Sequence, residues 1–236
     1  MTELKHILGA FERALDQLKA DAQSMATGAA ANLAHAIKGL LEGNEALCNQ
    51  AIVDDETVDH LEKKIDHDGV ETIMKFSPVA NDLRLVVSTM KMTTSLERIS
   101  DHAVSIAKRS RRLIKAGPLP EAALVQELHA KVSALLASAV SAFLDSDLER
   151  ALQIEGRVSE IEALHAQGVA ALTKRMEQDA SRIPDYVDVM FIIRFLKRTC
   201  DQACNIAEDA VYRISAYDIR HGGERPQSES VGNVTV

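Results

Sequence analysis

The sequence repeats itself. Asp55, Val58, Glu62, Met90, Arg98, Asp101 and Ala107 are matched by Glu155, Val158, Glu162, Met190, Arg198, Asp201 and Ala207, a constant offset of 100 (201 − 101 for the aspartates). A gapless offset that carries apolar, acidic and basic positions alike means that one supersecondary unit is used twice.

The unit is helical. Leu4, Leu8, Phe11, Leu15, Leu18, Ala22, Met25 and Ala29 recur at alternating spacings of four and three, the seam of a long helix over about 3–42. Gly43-Asn44 ends it, and Asn44 can cap a second helix that turns Leu47, Ala51, Val58, Leu61 and Ile65 toward a partner. Ser77-Pro78 reads as the N-cap and first position of a third helix, which runs to about residue 115. Gly117-Pro118-Leu119-Pro120 then breaks the chain into units 1–116 and 119–220, followed by a tail, 221–236, that reads as disordered. The second unit repeats the plan with helices over about 120–144, 148–179 and 184–217. Short loops imply antiparallel neighbours, so the expected fold is all-α: two tandem, similar three-helix bundles with six long helices and no strand.

Composition narrows the function. A net charge of −8 argues against a nucleic-acid-coating role. The one basic run, Lys108-Arg109-Ser110-Arg111-Arg112, reads as a cationic last turn. Residues 134–144 are the longest nearly apolar stretch, too short to span a bilayer, and the start has no signal-peptide pattern, so the expected location is cytoplasmic without membrane insertion. Cys48, Cys200 and Cys204 form no CxxC pair and read as buried small apolar residues.

Acids fall where apolar residues are expected. The third-helix seam Leu83, Val87, Met90, Thr94 continues onto Glu97 and Asp101, and Asp55, Asp59 and Glu62 share a face of the second helix. Five convergent carboxylates would repel and lose hydration unless they are protonated or share a cation. Oxygen donors without thiolates favour Mg²⁺, Mn²⁺ or iron. The bland alternative is a salt-bridged face paired with Arg84, Lys91 and Arg98. A third reading is a carboxylate-rich metal-storage or di-metal bundle. Its paired E-x-x-H motifs are present only as Glu162–His165 and Glu3–His6, the latter at the very start of the chain. His102 reads as a structural hydrogen-bonding residue, and no catalytic constellation can be assembled, so the chain is expected not to be an enzyme.

Leu96-Glu-Arg-Ile-Ser-Asp-His-Ala-Val-Ser-Ile-Ala107 resembles the E-R-x-x-D-H-x-x-N-I-A signature of the PhoU family, and Leu196-Lys-Arg-Thr-Cys-Asp-Gln-Ala-Cys-Asn-Ile-Ala-Glu208 repeats it. The resemblance implies a non-enzymatic negative regulator of phosphate uptake and the phosphate regulon. It further implies a homodimer, acting between the ATPase subunit of the phosphate ABC transporter and the phosphate-sensing histidine kinase, with peripheral membrane association through those partners. It also implies a divalent or trivalent metal, such as a multinuclear iron or zinc cluster, at Asp55, Asp59, Glu62, Glu97 and Asp101. The corresponding Glu155, Glu162 and Asp201 make a degenerate second set, because Lys197 and Ser159 replace two acids; in the first motif Ser105 replaces the asparagine that Asn205 retains in the second, which weakens the first site without removing it. Lys197 is expected to supply in place the charge a metal would bring, pairing with Glu155, Glu162 or Asp201.

Overall fold

The computed structural model describes residues 2–117 and 119–220. They form α1 (Thr2–Glu42), α2 (Glu45–Phe76), α3 (Ala80–Ala116), α4 (Ala122–Asp145), α5 (Leu148–Gln153), α6 (Val158–Gln178) and α7 (Ile183–Ser215), with 3-10 turns at Glu155–Arg157 and Ala180–Arg182. Six of these helices are long, no strand occurs among the described residues, and the chain is all-α as expected. The tail read as disordered, 221–236, lies outside the described residues.

In α1 the seam is buried through Leu15, Leu18, Ala22, Met25 and Ala29 and continues to Leu33, Ala36, Ile37 and Leu40. Each of the larger side chains contributes about 1.5–3 kcal/mol by leaving water. Gly43 (φ 66°) turns the chain, and the Asn44 side-chain oxygen accepts from the backbone N–H of Ala46 (3.0 Å) and Leu47 (3.4 Å) to start α2. The two helices approach closely there, since a Cβ on Gly39 would lie 2.5 Å from the Cys48 sulfur and 3.0 Å from the Asn44 carbonyl oxygen.

Two boundaries differ from the sequence reading. Ser77 does not cap the third helix. With φ 46° it is the left-handed C-cap of α2, its N–H donating to the Ile73 carbonyl, and α3 begins three residues later at Ala80. The ring of Pro78 disfavours a helical conformation for the residue before it, which ends α2 at Phe76. The second unit's middle helix is not continuous either. Gly156 stands where α2 has Glu56, and a mid-helix glycine costs about 1 kcal/mol. The chain there runs α5, a 3-10 turn, then α6.

At the centre, α3 packs against α1, α2 and α7, while α7 is also covered by α4, α5 and α6. Enclosure on three sides widens the buried surface of α3 beyond one stripe. It takes in Ser88, Thr89, Thr93, Ser95, Ser100 and Ser110, while Leu83 is exposed. Thr89 and Thr93 return their hydroxyls to the helix, donating to the carbonyls of Leu85 (2.8 Å) and Met90 (2.7 Å).

The basic run is not a last turn but a clamp between the units. The Arg109 guanidinium donates to Asp188 Oδ1 at 2.6 Å, and Arg112 grips both oxygens of the same carboxylate at 2.6 and 2.8 Å. Arg109 also lies 3.9 Å from the Phe191 ring centroid. Cys48 and Cys200 are buried and Cys204 half-buried, none in a disulfide. Among the described residues one helix, α4, is long and apolar enough to cross a membrane by length and composition, with a mean hydropathy of 1.2 over an 18-residue stretch. Its Val125, Leu128, Val132, Leu135 and Phe143 are packed in the core, chiefly against α7.

Asp209 on α7 is buried beside Lys91 and Arg220. Burial pushes its carboxyl up to about 6, against the opposing pull of Lys91 and Arg220. A raised acid binds its proton more tightly in the folded chain, so stability is lost as pH rises through the range from 3.8 to about 6. Asp209→Asn is therefore expected to stabilise the fold at pH 7.5 by roughly 1–2 kcal/mol, with the gain vanishing near pH 4. Thermal melts of both proteins across that range check it.

Candidate metal centre

The α2–α3 groove carries the five acids read from the sequence. Asp55, Asp59, Glu62 and Glu97 are half-buried, and Asp101 is exposed. Glu97 and Asp101 therefore border the core and do not face into it, because the buried face of α3 has shifted toward Leu96, Ile99 and Ser100. The acids nonetheless act on one another. Burial, then the charges of Asp101, Glu62 and Asp59, push the Glu97 carboxyl up to about 7. Burial raises Glu62, with Asp66 and Asp59 adding to it. Burial also raises Asp55, opposed by a hydrogen bond from Ser100 and reinforced by Asp59 and Asp101.

Asp55 is held by a relay the sequence reading missed. Buried Asn32 donates to Ser100 Oγ at 2.9 Å, and Ser100 donates to Asp55 Oδ1 at 2.6 Å. The signal was present: position 32 continues the α1 seam three residues after Ala29, and a buried amide at a seam position needs a partner.

Among the described residues, ligand atoms within 4.8 Å of one another occur in a different trio, His67, Asp68 and Glu71, which could hold a metal ion. Lysines already engage two of its members. Lys64 lies 3.0 Å from Asp68 and Lys75 lies 2.6 Å from Glu71, as on a solvated salt-bridged face.

In the second unit the same groove is rebuilt around a cation. Lys197 Nζ lies 2.6 Å from Asp201 Oδ1 and 3.6 Å from Glu162 Oε1, and the hydrogen bond to Asp201 raises its pKa. Glu155 is exposed on the 3-10 turn and Ser159 is exposed on α6. The structure thus gathers Glu162, Lys197 and Asp201. His102 bridges the two units, its Nδ1 3.2 Å from Thr199 Oγ1 and its ring stacked obliquely on Phe195. Burial, helped by Arg198, lowers its pKa to about 4, so it is neutral at pH 7.

This doubled groove, acidic in one unit and lysine-filled in the other, coincides with two matches to the family model described as the PhoU domain, at residues 22–110 and 125–210. The chain belongs to the PhoU family. The phosphate-specific transport system accessory protein PhoU homolog of Pseudomonas putida is 28% identical over 98% of this chain and 91% of its own length. The homolog of that name from Zymomonas mobilis is 30% identical over 88% and 87% respectively. The crystal structure of PhoU from Pseudomonas aeruginosa superposes with a TM-score of 0.84 at 26% identity, covering 87% of this chain and 99% of that one. Lys197 sits inside the second of the two matched domains.

Proposed function

We propose that this chain is an accessory regulator of a phosphate transport system, working as a cytoplasmic adaptor between the transporter's ATPase subunit and a phosphate-sensing histidine kinase. It restrains uptake and the phosphate regulon when phosphate is plentiful. The observation that carries this reading is the presence of both PhoU domains over nearly the whole length of relatives named for phosphate-specific transport. Loss of the protein should then raise phosphate uptake and alkaline phosphatase expression in phosphate-rich cells. Unchanged uptake and expression would refute the reading.

We further propose that the first repeat holds the metal. Its donor set of five carboxylates, one of them oriented by Ser100, suits a hard cation or a carboxylate-bridged cluster. A bound cation supplies charge neutralisation across the α2–α3 groove. Asp55, Asp59 and Glu62 would contribute from α2, and Glu97 and Asp101 from α3. In the second repeat Lys197 takes that part, and Glu155, Glu162 and Asp201 hold little or no metal. A homodimer fits the family reading and is tested by light scattering.

A further inference from the structure

The two repeats differ in charge at equivalent places. Thr94, Glu97 and Arg98 of α3 correspond to Arg194, Lys197 and Arg198 of α7, and Ile65 of α2 corresponds to His165 of α6. Between α6 and α7, His165, Arg194, Lys197 and Arg198 line a cavity of about 450 Å³ together with Val169, Met190 and Asp201. Arg198 also lines an adjoining cleft of about 330 Å³ between α3 and α7, facing Arg98 and Gln202. The one carboxylate common to both spaces, Asp201, is neutralised by Lys197 at 2.6 Å. Arg98, Arg194 and Arg198 make no side-chain hydrogen bond or ion pair among the described residues.

We propose that the α6–α7 cavity is a binding site for a small oxyanion of the phosphate type, clamped by Arg194 and Arg198, which both line it. Arg194 and Arg198 are four apart on one helix, so both guanidinium forks reach the same face, and planar forks match tetrahedral oxyanions in bidentate fashion. Lys197 occupies the local acids and leaves the arginines to the ligand. The field agrees in sign: His165 is held below its ordinary pKa by burial and then by Lys197 and Arg194. A chain with net charge −8 and so short a basic surface fits a small anion better than a nucleic acid. The inference stands apart from metal binding in the first repeat and from the regulatory reading.

The test is equilibrium dialysis of the full chain, freed of metal with a chelator that is then removed, against radiolabelled inorganic phosphate at low salt. Saturable binding of about one phosphate per chain with Kd on the order of 0.1–1 mM is expected. Arg194→Gln/Arg198→Gln should weaken it at least about tenfold, because two charge-assisted contacts are lost, while Arg198→Lys keeps part of the affinity. Both arginines are exposed, so the variants should show the thermal melt of the parent chain. No saturable binding up to about 10 mM, or equal binding by the double variant, would overturn the proposal. So would binding to phosphatidylglycerol vesicles, lost in the double variant, without binding of free phosphate.

Discussion

Asp188→Ala is expected to lower the unfolding free energy by about 3 kcal/mol, because it strands charges that the fold has partly removed from water. For a chain of this size that corresponds to a fall in Tm of roughly 6–12 °C. The Asp188 side chain is 13% exposed and the Arg109 side chain 23%. One carboxylate accepts from two arginines of α3 and thereby ties the first PhoU repeat to α7 of the second. Burial alone would raise the Asp188 carboxyl, but the hydrogen bonds of Arg112 and Arg109 outweigh it and hold the group below its ordinary value. The sign follows: the contribution is complete at neutral pH and is lost only as pH falls through the folded pKa. A double-mutant cycle with Arg109→Ala separates the pair from packing. A loss below about 0.5 kcal/mol would mean that the clamp is solvated and idle.

Lys197→Glu is expected to convert the second repeat from a lysine-filled groove into a metal site. The substitution places a third carboxylate beside Glu162 and Asp201 and removes the ammonium that neutralises them. Without metal the variant should melt below the parent chain, since like charges at these spacings repel. With Mn²⁺, Fe²⁺ or Zn²⁺ supplied, it should recover and hold about one more ion per chain than the parent. Elemental analysis and thermal melts in paired metal-loaded and chelated samples check both halves of the expectation. Equal metal content in variant and parent would show that Lys197 is not a substitute for an ion.

Most of the architecture was legible because it rests on local rules. The α1 seam, the Asn44 cap and the Gly117 break are each written in a few adjacent residues. What escaped depended on a third body. The α3 seam was read as a single stripe, yet α7 covers another side of that helix, which moved the buried face and left Asp101 in solvent. Arg109 and Arg112 looked like a helix-end charge run because their partner, Asp188, is 79 and 76 positions away. Ser77 was misplaced by a tie between two rules, since serine before proline suits both a helix start and the residue after a helix end. Gly156 interrupts a pattern otherwise periodic, at the 3-10 turn between α5 and α6. At the candidate site the engagement of Lys197 with Glu162 and Asp201 followed from the repeat alignment, whereas no three of the first-repeat acids bring ligand atoms within 4.8 Å of one another. The Asn32–Ser100–Asp55 relay joins three helices, and only its Asn32 end is marked in the sequence, by its place on the α1 seam.

The proposed metal of the first PhoU repeat depends on Glu97 and Asp101. That dependence is tested most directly by elemental mass spectrometry of the purified full chain beside its Glu97→Ala/Asp101→Ala variant. The parent is expected to carry iron, zinc, manganese or magnesium, at about one ion per chain or more, and the variant to lose it. A parent without metal, or a variant that keeps the parent's metal content, would contradict it and leave the acids as a solvated face.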